Sequence, residues 1–291
     1  MKVGIDSYSF HRFFGEHYPG LEEEPGQRME VWDFLRVARE MGAEGVSLEA
    51  CHLPSDPAFL ERLRAALDEA GFARIWAWGH PDGLGSGRKP EAAADLLKHL
   101  AVARTLGAPA MRICCGGRRT RPERWEEQRD LLLPLLRRLA DAAGEQGVVL
   151  AIENHLDMLA EELAELLERV DSPWLGVCLD TANNVRLGED ALAVVRRLAP
   201  WARATHVKDV APQPGAEGSF ASWPSVPLGQ GVVDVDAVVR ELARTGYDGL
   251  LAVEIDYLHP RFGTDEAAAV RRSLERLRQA VEGAVDGAAP A

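Results

Sequence analysis

Residues 148–208 read VVLAIENHLDMLAEELAELLERVDSPWLGVCLDTANNVRLGEDALAVVRRLAPWARATHVK, and this stretch decides the fold. Three short apolar runs, VVLAIEN, LGVCLD and ARATHVK, are separated by longer segments in which apolar residues recur at helical spacing. Apolar strand-like runs joined by helices are what a parallel sheet with both faces covered requires. Each run also carries an acid or a histidine directly after apolar residues: Glu153, Asp180 and His206.

The alternation continues outward to both ends of the chain. Further strand candidates are KVGID at 2–6, EGVSLEA at 44–50, ARIWAWG at 73–79, AMRICC at 110–115 and LLAVEID at 250–256. Helix-patterned segments such as VWDFLRVAREMG and PEAAADLLKHLAVARTLG lie between them, and EAAAVRRSLERLRQAVEG supplies the last. Gly42, Gly71, Gly107, Gly147 and Gly246 each close a helix just before the next strand, the position of a left-handed C-terminal residue. Eight units of about 36 residues match a closed (β/α)8 barrel better than an open doubly wound sheet. No G-x-G-x-x-G follows the first strand, so the main dinucleotide signal is absent. One domain over residues 1–291 is expected, with 279–291 a fraying tail. Two long loops, residues 12–30 and 209–233, fall at the C-terminal face of such a barrel and are candidate lids.

Bulk properties narrow the function. The chain has 291 residues with 46% hydrophobic and 27% charged, ordinary values for a globular protein. A net charge of -13 argues against a nucleic-acid or anionic-membrane partner, but not against a small anionic substrate in a locally positive site. Four cysteines, Cys51, Cys114, Cys115 and Cys178, include no C-x-x-C pair and read as packed, reduced thiols. The N-terminal MKVGIDSYSF runs straight into a strand-like segment, and no run is long and apolar enough to span a bilayer. The expectation is a cytoplasmic protein, with a homodimer possible.

Position gives the site. Glu153, Asp180, His206 and Glu254 end four successive strands, and side chains at the C-terminal ends of barrel strands converge on one mouth. Three carboxylates brought together without a cation repel and raise one another's pKa, and a divalent metal removes that conflict. Each residue alone has a bland explanation as a cap or a satisfied core group; four on consecutive strands are harder to dismiss. Oxygen ligands with one imidazole suit one Mn, Mg or Co ion, with Zn also open.

The set IENH (152–155), CLDTAN (178–183), THVKD (205–209) and VEID (253–256) resembles the sugar phosphate isomerase/epimerase group of xylose isomerase-like TIM barrels. Endonuclease IV relatives belong to the same group. The resemblance covers nearly the whole chain. It implies that Glu153 and Glu254 bind metal and also shuttle a substrate proton, as the matching acids do in the group's ketose 3-epimerases. Those epimerases often have a histidine where this chain has Asn183, and a different set follows the metal histidine, where Lys208 and Asp209 stand here. The segment GIDSYSFHRFFGEHYPG (4–20) is similar instead to 3-oxo-isoapionate decarboxylases.

Around the four ligand positions lie further candidates. Arg112, inside an apolar run, needs an anion, either a site carboxylate or an acidic substrate. Lys208 shares strand parity with His206 and could hold a carboxylate or protonate an enediolate; a solvated strand-end lysine is the alternative. His155, Asn154 and Asn183 could grip substrate hydroxyls, and His80, Glu49 and His11 could contact substrate or serve only as caps and loop residues. Trp76 and Trp78 alternate on one strand so that both could point inward, with core packing as their role.

The leading expectation is isomerisation or epimerisation of a small keto-sugar through a metal-stabilised enediolate, with Glu153, Glu254 and Lys208 in catalytic roles. A lyase, decarboxylating or dehydrating a keto-sugar acid or polyol, is the alternative from the same enediolate. A repair nuclease is disfavoured by the acidic chain and the few histidines, and a non-catalytic metal scaffold would be inert to all these substrates.

Overall fold

The computed structural model describes residues 1–80, 82–215 and 222–286. Eight parallel strands close a barrel: β1 (Lys2–Asp6), β2 (Gly45–Glu49), β3 (Ala73–Ala77), β4 (Ala110–Ile113), β5 (Val149–Glu153), β6 (Leu175–Asp180), β7 (Ala202–Val207) and β8 (Leu250–Val253). Each strand pairs with its neighbours in sequence order, and β8 returns to β1. Helices α1 (Val31–Glu40), α2 (Pro57–Glu69), α3 (Ala92–Leu106), α4 (Trp125–Gln146), α5 (Ala160–Val170), α6 (Ala191–Leu198), α7 (Val235–Arg244) and α8 (Glu266–Asp286) surround it. All eight expected strands form. Helix α8 continues to Asp286, past the start of the expected frayed tail, and residues 287–291 lie outside the described part. Among the described residues no helix is long and apolar enough to cross a membrane.

The five glycines expected at helix ends all adopt positive φ, from +67° at Gly71 to +81° at Gly246. A side chain there would meet the steric penalty of left-handed backbone, so these residues let each helix turn back into its strand.

The barrel has two apolar layers. A small inner cluster of Ile75, Ala110, Ala151, Cys178, Ala204, Leu250 and Ala252 fills the lumen. The larger core lies between strands and helices. Toward the bottom the lumen is narrow: a Cβ on Gly4 would meet the Gly45 carbonyl oxygen at 2.2 Å. Trp76 and Trp78 are packed, as expected, but they flank the inward-facing Ala77 and so point out toward the helices. Trp76 stacks on His99 of α3, and the Trp78 indole donates to Asp95 of the same helix at 3.0 Å. Strand parity forces this, because Ile75 and Ala77 take the lumen positions and the lumen has no room for two indoles.

The loop after β7 leaves through a two-stranded ribbon, Asp209–Val210 against Ser225–Val226, and residues 216–221 of the proposed lid lie outside the described part. Asp209 organises the return. Its buried carboxylate accepts the backbone N–H groups of Val210, Gly229, Gly231 and Val233 at 2.8–3.0 Å. Gly231 is obligatory there, since a Cβ would sit 2.2 Å from Asp209 Oδ1.

Candidate functional site

Inward positions along a strand recur every second residue. Two residues beyond the lumen residues Ala151, Cys178, Ala204 and Ala252 come Glu153, Asp180, His206 and Glu254. The parity that buries four small residues therefore aims four polar ones into one mouth. Their candidate ligand atoms lie within 4.8 Å of one another, and all four residues are buried. His206 Nδ1 lies 3.3 Å from Glu153 Oε1 and 2.7 Å from Glu254 Oε2. Its other nitrogen faces Asp6 Oδ2 at 3.3 Å. One nitrogen toward the cluster and the other toward an outer carboxylate is how a metal-ligating histidine is usually oriented.

Electrostatics favour a cation at this point. Burial pushes Asp180 up despite the ammonium of Lys208. Burial acts the same way on Glu153, but Arg112 and His206 overcome it and hold that carboxyl well below the usual range. Burial disfavours a charged imidazole, yet Cys178, Glu254, Glu153 and Asp6 raise His206 well above its ordinary value. Asp180 Oδ2, His206 Nε2 and Glu254 Oε2 are buried and make no well-formed hydrogen bond, only ionic contacts with Lys208, Asp6 and His206 Nδ1 respectively. Buried polar atoms are rarely left so, and three carboxylates with one imidazole are a donor set for a small divalent ion. The residues present fit such an ion.

Lys208 follows His206 by two residues and points to the same mouth, as its parity required. Its Nζ lies 3.1 Å from Asp180 Oδ2, 3.2 Å from Glu254 Oε1 and 3.2 Å from Asp256 Oδ2. Burial disfavours its charge, but these three acids keep the amine protonated far above the ordinary range. Arg112 takes the first of its two expected partners: it pairs with Glu49 and lies 3.4 Å from Glu153 Oε2. Glu49, nearly fully buried, is pushed up to about 8 by that burial despite Arg112. Asn183 donates to Glu153 Oε1 at 3.2 Å.

A cavity of about 540 Å³ opens above these groups, lined by Glu49, His80, Arg112, His155, Asn183, Lys208, Glu153 and Glu254. Two expected residues are elsewhere. His11 is buried with one nitrogen 2.8 Å from the Tyr8 carbonyl oxygen and the other 2.9 Å from Glu22, so its ring fastens the first loop rather than facing the cavity. Asn154 points away from the mouth, as its parity dictates, and bridges the Asp180 backbone to Asn184. Cys114, Cys115 and Cys178 are packed, whereas Cys51 is exposed to the cavity.

Several residues escaped sequence reading. Asp6 ends β1 after apolar residues, the signal that identified the others, and could have been found. Asp256 stands two residues beyond Glu254, as Lys208 does beyond His206. Arg186 gave no signal; only the fold brings its guanidinium to Asp256, at 2.7 and 3.1 Å. Tyr8 and Tyr18, with hydroxyls 2.8 Å apart, line the cavity from the first loop.

Asp157, behind His155, yields a stability prediction. Burial pushes its carboxyl up to about 6, and among the described residues its only side-chain donor is Gln128 at 3.0 Å. An acid whose folded pKa exceeds its unfolded value loses stability for the fold as pH rises between the two, here from about 4 to about 6. Asp157→Asn is expected to flatten that decline and raise stability at pH 7.5 by up to about 2–3 kcal/mol. Denaturant midpoints at pH 4.5, 6 and 7.5 check it; parallel curves for the two proteins would refute it.

Three comparisons place the chain among known proteins. The model of the xylose isomerase-like TIM barrel family matches residues 35–280. Inosose dehydratase of Geobacillus thermodenitrificans is 33% identical over 144 residues, 45% of this chain and 48% of its own, so the match spans about half of that relative. The 2-epi-5-epi-valiolone 7-phosphate 2-epimerase of Actinoplanes sp. is 31% identical over 189 residues, covering 62% of this chain and 68% of that protein. The 3-oxo-isoapionate decarboxylase of Pectobacterium atrosepticum is 27% identical over 82% of this chain and 79% of its own. Among solved structures, L-ribulose 3-epimerase superposes with TM-score 0.73 at 19% identity, over 99% of this chain and 96% of that one. A Mycobacterium smegmatis barrel in complex with magnesium does so with TM-score 0.72 at 19% identity, over 98% and 97%.

Proposed function

The chain belongs to the xylose isomerase-like TIM barrel family, and from that premise we propose that it is a divalent-metal-dependent epimerase or isomerase of a small keto-sugar. The observation that carries this reading is the pair Glu153 and Glu254, which approach His206 from two different strands and flank one mouth. A divalent ion held by Glu153, Asp180, His206 and Glu254 would polarise a substrate carbonyl and its neighbouring hydroxyl. The donor set suits Mn, Mg, Co or Zn, and a Mycobacterium smegmatis barrel of this fold is solved in complex with magnesium.

Glu254 removes the proton from the carbon next to the carbonyl, and the electron pair moves onto oxygen as an enediolate. In an isomerisation Glu254 hands the same proton to the adjacent carbon and is left ionised again; in an epimerisation Glu153, ionised at rest, first takes a proton from solvent and then gives it to the other face. The Lys208 ammonium beside Glu254 balances the charge and can share a proton with the substrate oxygen. Arg112 and Asn183 hold Glu153 in orientation. His80 and His155 line the wall where substrate hydroxyls would lie.

A lyase is the second reading, favoured by Lys208 next to Glu254, because an ammonium can protonate a departing hydroxyl or hold a carboxylate. The relatives of this chain are named as a dehydratase and a decarboxylase as well as an epimerase. Against decarboxylation stands the engagement of Arg112 with Glu49 and Glu153, two carboxylates that already offset its charge, although its guanidinium still lines the cavity. Metal-loaded protein incubated with a panel of keto-sugars and keto-sugar acids, with products and carbon dioxide followed together, separates the two. Epimers without carbon dioxide support the first reading; carbon dioxide or a dehydrated product replaces it with the second.

A further inference from the structure

We propose that Glu16, Cys51 and His52 form a second divalent-cation site, of the kind that takes zinc, at the rim of the cavity. Their candidate ligand atoms lie within 4.8 Å of one another. They come from two separate segments: Glu16 from the loop after β1, and Cys51 and His52 from the single turn Ala50–His52 after β2. No residue is shared with the Glu153 set, so both can be filled together.

The histidine is built for the role. Its side chain is only 5% exposed, and the ring is stacked parallel to Phe14 at 5.0 Å and against Tyr8 at 6.1 Å. One ring nitrogen lies 3.3 Å from Glu16 Oε2, and the other is buried with no partner. Glu16 is oriented in turn, because its second oxygen accepts the Tyr8 hydroxyl at 3.0 Å. Cys51 is a free thiol exposed at the cavity, unlike the other three cysteines, which are buried.

The donor chemistry selects the ion. One sulfur, one imidazole and one carboxylate suit a borderline-soft cation that accepts four ligands, whereas magnesium and calcium prefer oxygen alone. Three protein ligands leave a fourth position for water or a substrate oxygen. An ion here ties the first loop, which carries Tyr18 over the cavity, to the end of β2, so its occupancy restrains the cavity wall. A simple Glu16–His52 ion pair would give Cys51 no part, and that difference decides the test.

Zinc is measured by elemental analysis after the whole protein is saturated and desalted, with Cys51→Ser beside the wild type. The expected result is one zinc fewer per chain in the variant, whatever the Glu153 set holds, so failure here is separate from failure of the proposed activity. Two measurements on the same protein guard against a misfolded variant. Zinc should slow alkylation of Cys51 by iodoacetamide by at least about tenfold, since a coordinated thiolate is a poor nucleophile. Cobalt in place of zinc should give a thiolate-to-cobalt charge-transfer band in the wild type that is absent from Cys51→Ser. Equal zinc counts, with Cys51 alkylated at the same rate with and without zinc, would overturn the proposal.

Discussion

Replacing Glu254 or Glu153 by glutamine is expected to lower turnover by roughly two to four orders of magnitude, the usual scale for a lost general base. Glutamine keeps an oxygen at the end of the side chain but cannot accept a proton from carbon. Both acids are buried at the mouth, and Glu153 is held ionised by Arg112 and His206 against the push of its burial. Each variant should therefore retain part of its metal affinity while the chemistry fails. In deuterium oxide the wild type should introduce deuterium at the substrate carbon, and neither variant should do so at a comparable rate. Near-normal rates in both metal-bound variants would assign proton transfer to another group, with Lys208 and His155 next in line.

Lys208→Met is expected to produce the other large effect, on stability as well as rate. The ammonium is buried against Asp180, Glu254 and Asp256, and removing one member of such a network leaves uncompensated charge. Losses of about 3–5 kcal/mol are typical of that change. The deficit should be largest in metal-free protein and shrink when a divalent ion is added, because the ion supplies charge to two of the three acids. Turnover should fall even where the fold is retained. Asp256 keeps Arg186 as its partner, so the carboxylates left exposed to the loss are chiefly Asp180 and Glu254. Thermal unfolding with and without metal checks this; a deficit that metal leaves unchanged would mean that the ion does not bind beside Lys208.

The fold was legible because its signals are local. Strand composition, helix periodicity and the glycines that close helices each act within a few residues, and every one of the eight strands formed where its apolar run stood. The four converging residues were legible for a related reason: a strand-end polar group in an apolar run has only the barrel mouth to face. Parity made the difference where reading went astray. Trp76 and Trp78 flank Ala77 and must point to the helices, and Asn154 must point opposite to Glu153. Applied to every strand, the same rule would also have found Asp6 and Asp256. It could not have found Arg186, Tyr18 or the Glu16–Cys51–His52 group, because those depend on how long loops return across the mouth. His11 is the converse case, a histidine with a polar context whose partners, Tyr8 and Glu22, arrive only through the folded first loop.

The central claim is that Glu153, Asp180, His206 and Glu254 hold one catalytic divalent ion, and manganese tests it most directly because it favours oxygen-rich sites over the thiol-containing rim. Wild-type protein and an Asp180→Asn, Glu254→Gln double variant are stripped with chelator, reloaded with manganese, desalted and analysed for metal. The account predicts about one manganese per wild-type chain, with little in the folded double variant. No stoichiometric manganese in the wild type, or equal amounts in both proteins, would contradict it.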